Sequence, residues 1–218
     1  MNFEFPDFRI LLFAREPVPG RVKTRLHPVL GKRRAFALYC ALLRYQVAML
    51  ENNCLAPWEL WVSGNRDNPV LHGLGHDHRT FEQAGSDLGK RMRAAAATAL
   101  KQSSAVVLVG TDCPSIDHAY LRDAMVRLQS GAEVVLGPAE DGGYVLLGIT
   151  GSWTELFDGV PWGTGQVLEE TVMRARQLQL KTSLLSTRWD VDRPEDLARL
   201  AELEPAFEFQ TDGSDRAP

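Results

Sequence analysis

"AVVLVG", residues 105 to 110, is an unbroken apolar run with three valines and no polar alternation. A strand of that composition fits the middle of a parallel sheet covered on both faces, where neither side meets water. Outward from it, strand-like and helix-like segments alternate. "FRILLFA" (8 to 14) and "WELWVSG" (58 to 64) read as strands on the N-terminal side. "EVVLGPA" (133 to 139), "YVLLGI" (144 to 149) and "TSLLSTRW" (182 to 189) follow on the C-terminal side, the first two joined by "EDGG" (140 to 143).

The segments between them have helical periodicity. Residues 33 to 50 place Phe36, Tyr39, Leu42, Leu43, Gln46 and Met49 near one helical face, and residues 87 to 102 are rich in alanine. A third helix runs from an Asp117 N-cap to a Gly131 stop, a fourth spans Gln166 to Gln179, and a last one is entered through Pro194. Repeated strand and helix units predict a three-layer α/β sandwich with a mostly parallel central sheet. One domain is expected over residues 1 to 203. Residues 204 to 218 lose periodicity and are expected to form a mobile tail in which Phe207 and Phe209 are available for docking.

Composition restricts the function classes. The 218 residues are 44% hydrophobic and 24% charged, enough for one substantial core. A formal net charge of -4 argues against a general nucleic-acid or membrane-surface binder. Charge is nevertheless segregated: Arg15 to Arg34 holds seven Lys/Arg and one Glu, a local +6, so the remainder carries -10. Three scattered cysteines, Cys40, Cys54 and Cys113, offer neither a disulfide framework nor a thiolate zinc site. The apolar run from Ile10 to Ala14 is too short for a signal-peptide core or a membrane span, and a reducing, cytoplasmic location is expected.

In open α/β sheets, ligands gather beyond the carboxyl ends of the strands. Four strand exits carry charge here: Arg15 to Arg25 after the first strand, Gly110 to Pro114, Glu140 to Gly143, and Asp190 to Asp192. One is basic and three are acidic. A phosphorylated nucleotide needs cations around its phosphates and a divalent metal, and the metal needs oxygen ligands. Asp112 in "VLVGTDCP" and Asp192 in "WDVDRPED" each follow a strand and can converge on one Mg2+ or Mn2+, with Asp141 and Asp190 in reserve. Taken singly, "GTDCP" also reads as an Asx-turn and "DVDRPED" as a helix cap.

"FAREPVPGRVKTRL" (13 to 26) is neither a Walker A loop nor a Rossmann fingerprint. Pro17 and Pro19 stiffen it, Gly20 permits a close backbone approach, and Arg21, Lys23 and Arg25 alternate. In an extended segment that alternation aims all three side chains in one direction. Glu140 and Asp141 read equally as catalytic groups or as part of a hairpin link, with Asp141 the better chemical choice because it precedes two glycines. Trp162 in "VPWGT" reads as an acceptor-pocket wall or, more simply, as packing. His72, His76 and His78 have metal-like spacing but no fourth ligand, and Cys113 reads as a small residue under a turn.

Six segments in order resemble the glycosyltransferase-like, nucleotide-diphospho-sugar transferase proteins related to molybdenum-cofactor and phospholactate guanylyltransferases. They are "FAREPVPGRVKTRL", "QAGSDLGKRM" (83 to 92), "VLVGTDCPSI", "GPAEDGGYVLLGI", "VPWGTGQVLEET" and "DVDRPEDL". The resemblance runs from Ile10 to about Leu200 and implies the GT-A fold. It implies Arg21, Lys23 and Arg25 beside nucleotide phosphates with Gly20 at the approach, Asp112 and Asp192 as metal carboxylates, and Asp87 near the base or acceptor. Lys23, Asp112 and Asp141 are the expected catalytic set. "GSD" at Gly85 to Asp87 departs from the usual "GGD" or "GD" of that branch.

The implied activity is metal-dependent transfer involving a nucleotide and a small-molecule acceptor. A basic first loop favours a triphosphate, hence nucleotidyl transfer to a small phosphorylated acceptor. Glycosyl transfer from a nucleoside-diphosphate sugar is the alternative, and a non-catalytic nucleotide-binding module is a third. The sequence leaves the oligomeric state open.

Overall fold

The computed structural model describes residues 2 to 203 except Gly73, residues 75 to 78 and Ala201. The expected tail, and with it Phe207 and Phe209, lies outside the described residues.

The run at 105 to 110 is the fourth strand and is central, as its apolar pattern predicts, although only one of its two neighbours is parallel. Among the described residues, seven strands form one sheet: β1 (Phe8–Arg15), β2 (Trp58–Ser63), β3 (Thr80–Glu82), β4 (Ala105–Gly110), β5 (Val134–Pro138), β6 (Tyr144–Ile149) and β7 (Thr182–Leu184), in the order β3-β2-β1-β4-β6-β5-β7. β1 pairs in parallel with both β2 and β4, β2 with β3, and β5 with β7. β6 alone runs the other way, antiparallel to β4 and β5. The sheet is therefore mostly parallel, as its composition predicts.

Among the described residues, four α-helices connect these strands, α1 (His27–Asn53), α2 (Leu88–Ala99), α3 (His118–Gln129) and α4 (Val167–Gln177), and a fifth, α5 (Asp196–Leu200), follows β7. Strand residues alternate between two cores. Ile10, Leu12 and Ala14 of β1, with Val107 and Val109 of β4, pack under Tyr39, Leu43 and Val47 of α1 and Leu121 and Met125 of α3. Leu11, Val106 and Leu108 face the opposite way, toward Met92, Ala95 and Ala99 of α2 and Ala175 of α4. The three layers follow from that period of two. A smaller cluster joins Leu26, Leu38 and Leu42 to Val191 and Leu200, clamping the C-terminal segment onto the outer side of α1.

The predicted caps are formed: Asp117 Oδ1 accepts from Tyr120 N at 2.7 Å, and Gly131 follows α3 with φ 100°. β3, three residues behind a polar stretch, has no counterpart among the strands expected from sequence.

The chain leaves β1 for β2 and β3 on one side, then crosses to β4 on the other side of β1. β1 and β4 are thus adjacent parallel strands whose connections diverge, which opens a crevice at their carboxyl ends.

Candidate active site

A buried ammonium spans that crevice. Lys23, on the loop after β1, lies 2.8 Å from Asp112 Oδ1 on the loop after β4, with its own side chain only 2% exposed. Its Nζ also donates to the backbone carbonyl of Val191, and Val191 N in turn donates to Asp112 O at 2.8 Å. Three strand exits remote in sequence are joined at one atom. Lys23 reaches this position because its backbone is left-handed, with φ 49° and ψ 41°.

That conformation overturns the expected extended loop. Residues 18 to 26 turn, through an Arg21 N to Val18 O bond and a 3-10 turn at Thr24–Leu26. The basic side chains therefore diverge. Lys23 points inward, Arg25 pairs with Asp192 at the cavity edge, and the exposed Arg21 lies away from the cavity, as does Gly20 with its φ of 79°. A cation expected only as the start of the basic loop lines the cavity where Arg21 does not: Arg15, exposed at the end of β1. Tyr39 of α1 fixes that strand exit, donating its hydroxyl to Arg15 O at 2.6 Å and accepting from Arg15 N at 2.9 Å. Burial, with the Asp112 charge added, pushes the Tyr39 hydroxyl well above its ordinary range, so it stays protonated and able to donate.

The cavity at the crevice has a volume of about 510 Å3 and is lined by Lys23, Arg25, Asp112, Asp141, Asp190 and Asp192 among others. Asp141 sits in the link between β5 and β6, its Oδ1 accepting from Gly143 N at 2.9 Å. Gly142, with φ 87°, lets this link pass against Gly165, and Leu168 N donates to Gly142 O at 3.0 Å. Of the two acidic residues weighed there, Glu140 is engaged elsewhere, in a two-pronged ion pair with Arg199 at 2.6 and 2.9 Å. Asp87 caps α2 by accepting from Lys90 N at 2.9 Å and pairs with Lys90 Nζ; it does not line the cavity, although Leu88 and Met92 of the same segment do. Cys113 is buried against Trp189 O, and burial raises its thiol to about 11, an unreactive packing position. His72 is exposed, and His76 and His78 lie outside the described residues.

Asp190 carries the electrostatic signature of the site. Burial raises its carboxyl to about 6, and the charges of Asp141, Asp112 and Asp192 add to the shift while Lys23 opposes it. Its folded-state value exceeds the unfolded one of about 3.9, so the folded protein keeps a proton that the unfolded chain releases. Stability is therefore lost as pH rises from about 4 through about 6 and stays lost above that. Asp190→Asn is expected to raise the melting temperature by about 2–4 °C at neutral pH and to leave it unchanged near pH 4, as a thermal-shift series across pH would read. Superimposable pH profiles for variant and parent would remove Asp190 as the source.

Among the described residues no three His, Cys, Asp or Glu side chains gather closely enough to hold a metal ion by themselves. What exists is a set of mutually repelling carboxylates, Asp190 with Asp141, Asp112 and Asp192, beside the Lys23 ammonium.

Comparison with known proteins agrees with this architecture. Residues 46 to 164 match the family described as "Uncharacterized protein conserved in bacteria (DUF2064)". The chain belongs to this family. A Desulfovibrio desulfuricans G20 protein described as a candidate nucleotide-diphospho-sugar transferase is 33% identical over 91% of this chain and 89% of its own, with a TM-score of 0.82. The inositol-1-phosphate CTP transferase of T. maritima is 16% identical, covering 95% and 98% of the two chains at a TM-score of 0.58. A Mycobacterium tuberculosis H37Rv protein in complex with manganese is 18% identical over 90% and 98%, at 0.53. No curated protein matches the sequence. The DUF2064 member thus has the fold of nucleotide-diphospho-sugar transferases, the GT-A architecture its motifs imply. No helix among its described residues is long and apolar enough to cross a membrane.

Proposed function

We propose that this DUF2064 protein is a metal-dependent transferase that moves a nucleotidyl group from a nucleoside triphosphate to a small phosphorylated acceptor. The observation that carries this reading is the Lys23–Asp112 contact across the β1/β4 crevice, with Arg15 and Arg25 beside it and three further carboxylates around the same cavity. Cations of that number fit a triphosphate. Carboxylates of that number fit a cation bound jointly with phosphate oxygens.

Asp112 and Asp192 are the proposed cation ligands, with Asp190 alongside; the cation, Mg2+ or Mn2+, would screen phosphate charge and stabilise the leaving pyrophosphate. Asp192 pairs with Arg25 in the metal-free protein; with a cation held by Asp192, the guanidinium would be free to meet the phosphates. Lys23 and Arg15, which line the same cavity from the exit of β1, would hold the phosphates. An acceptor phosphate oxygen then attacks the α-phosphorus, the bond from that phosphorus to the bridging oxygen breaks, and pyrophosphate departs. Asp141 orients the acceptor from the β5–β6 link. The description of the 33%-identical relative supports a second reading, in which the donor is a nucleoside-diphosphate sugar and a nucleoside diphosphate leaves.

A thermal-shift screen of nucleoside triphosphates and nucleoside-diphosphate sugars, with and without Mg2+ or Mn2+, separates these readings. A metal-dependent shift with triphosphates is expected, and a shift with diphosphate sugars alone would replace the first reading by the second. Asp112→Asn is expected to abolish the metal-dependent part of the shift. It should also lower the metal-free stability by about 2 kcal/mol, because it leaves a buried ammonium with two neutral carbonyl acceptors and no counter-charge. A preserved metal-dependent shift in that variant would remove Asp112 from the cation site.

A further inference from the structure

The cavity is chemically divided. Its charged lining, Arg15, Lys23, Arg25 and the four aspartates, comes from the exits of β1 and β4, the β5–β6 link and residues 190 to 192. A second part of the lining, from α2, β6 and the segment that enters α4, presents Leu88, Met92, Tyr144, Trp162, Thr164 and Val167. None of these carries a charge at neutral pH.

This wall is built to hold its shape. Trp162 lies so close to α2 that a Cβ on Gly89 would fall 2.4 Å from its Nε1, and Tyr144 meets the indole edge-on at 6.3 Å and 87°. Trp162 is half-buried, yet it lines the cavity. Leu88 is 42% exposed beside it, one of four large apolar side chains of the described residues that water reaches to that degree. The wall is also coupled to the carboxylates: the Gly142–Gly165 contact and the Leu168 to Gly142 bond tie the Trp162 segment to the link bearing Asp141.

We infer that the Leu88–Trp162 wall receives the carbon skeleton of the acceptor, and that the acceptor is a phosphorylated neutral sugar or polyol whose C–H face packs on the indole. The inference rests on the transfer reading proposed above. A carboxylate placed against this wall would lose water and gain no cation, a cost that excludes phosphorylated sugar acids and hydroxy acids. A neutral ring offers apolar C–H surface to Trp162 and Leu88 while its phosphate reaches the cationic half. Asp141, joined to the wall, then lies beside the acceptor rather than beside the base.

Saturation-transfer NMR on the full chain tests this directly. Glucose-1-phosphate and 3-phosphoglycerate are the probes, each with and without Mg2+ and non-hydrolysable nucleoside triphosphates. Glucose-1-phosphate is expected to bind at least about tenfold more tightly than 3-phosphoglycerate, with its ring C–H protons saturated. Trp162→Ala should weaken it by about tenfold and Trp162→Phe by no more than about threefold. Leu88→Ser, at an exposed position that leaves folding intact, should also weaken it, while triphosphate affinity changes by less than about twofold in every variant. Equal or tighter binding of 3-phosphoglycerate, no binding of glucose-1-phosphate under any condition, or indifference to both wall variants would overturn the inference. So would a loss confined to the triphosphate, which would give the wall to the base. Failure of the transfer reading looks different: no nucleotide produces a metal-dependent thermal shift, whatever the sugar phosphate does.

Discussion

Lys23→Met is expected to weaken triphosphate binding by about 10- to 100-fold, measured calorimetrically, both with and without divalent metal. The two conditions separate two roles for the ammonium. If Lys23 only orients Asp112, the metal-dependent part of the affinity disappears and the metal-free part survives. If it also holds phosphate, both fall, and that is the outcome the cavity predicts, because Lys23 lines it directly. Metal-free affinity within about twofold of the parent would confine Lys23 to the orienting role. The cost to stability should be modest, about 1 kcal/mol, since the Asp112 side chain left behind is 45% exposed and recovers water. Methionine keeps the length of the buried stem, so the loss reports the charge rather than a void.

Gly142→Ala should produce the largest loss of stability among single substitutions near the site. The added Cβ would fall 2.1 Å from the Gly165 carbonyl oxygen, a backbone atom that cannot swing aside, and φ 87° adds strain of about 1–2 kcal/mol. A total of about 3 kcal/mol lowers the melting temperature by about 6–12 °C in a chain of this length. Gly163→Ala is the matched control. Gly163 has a similar φ of 83°, but nothing lies within 4 Å of its added Cβ, so it should lose only the strain. Equal losses in the two variants would mean that the two segments are not held against each other.

Much of the architecture can be read from residue patterns because single physical rules dominate there. "AVVLVG" has one reasonable place in an α/β sandwich, and Asp117 and Gly131 mark α3 through local hydrogen bonding and backbone freedom. The composition of the exits is equally local, and Lys23, Asp112, Asp141 and Asp192 all line the same cavity. Side-chain direction is not local. Lys23 turns inward through a left-handed backbone that no propensity favours for lysine, stabilised by acceptors 89 and 168 residues away, and that turn sends Arg21 out of the site. Arg15 was visible as the first residue of the basic loop, but its access to the cavity depends on Tyr39 holding the exit. Asp87 shows the converse: a capping position satisfied the carboxylate locally and kept it from the cavity.

The contact between Lys23 and the Val191 carbonyl has a consequence for the order in which the protein matures. As the chain emerges, β1, the basic loop and β4 with Asp112 precede the segment that carries Val191. The carbonyl that receives the ammonium follows Asp112 by 79 residues (191 minus 112), with Asp190 and Asp192 on either side of it. A chain halted before Asp190 therefore holds Lys23 against Asp112 alone and lacks two of the four cavity aspartates. The cavity gains its full set of charges only when residues 190 to 192 fold back onto the exits of β1 and β4.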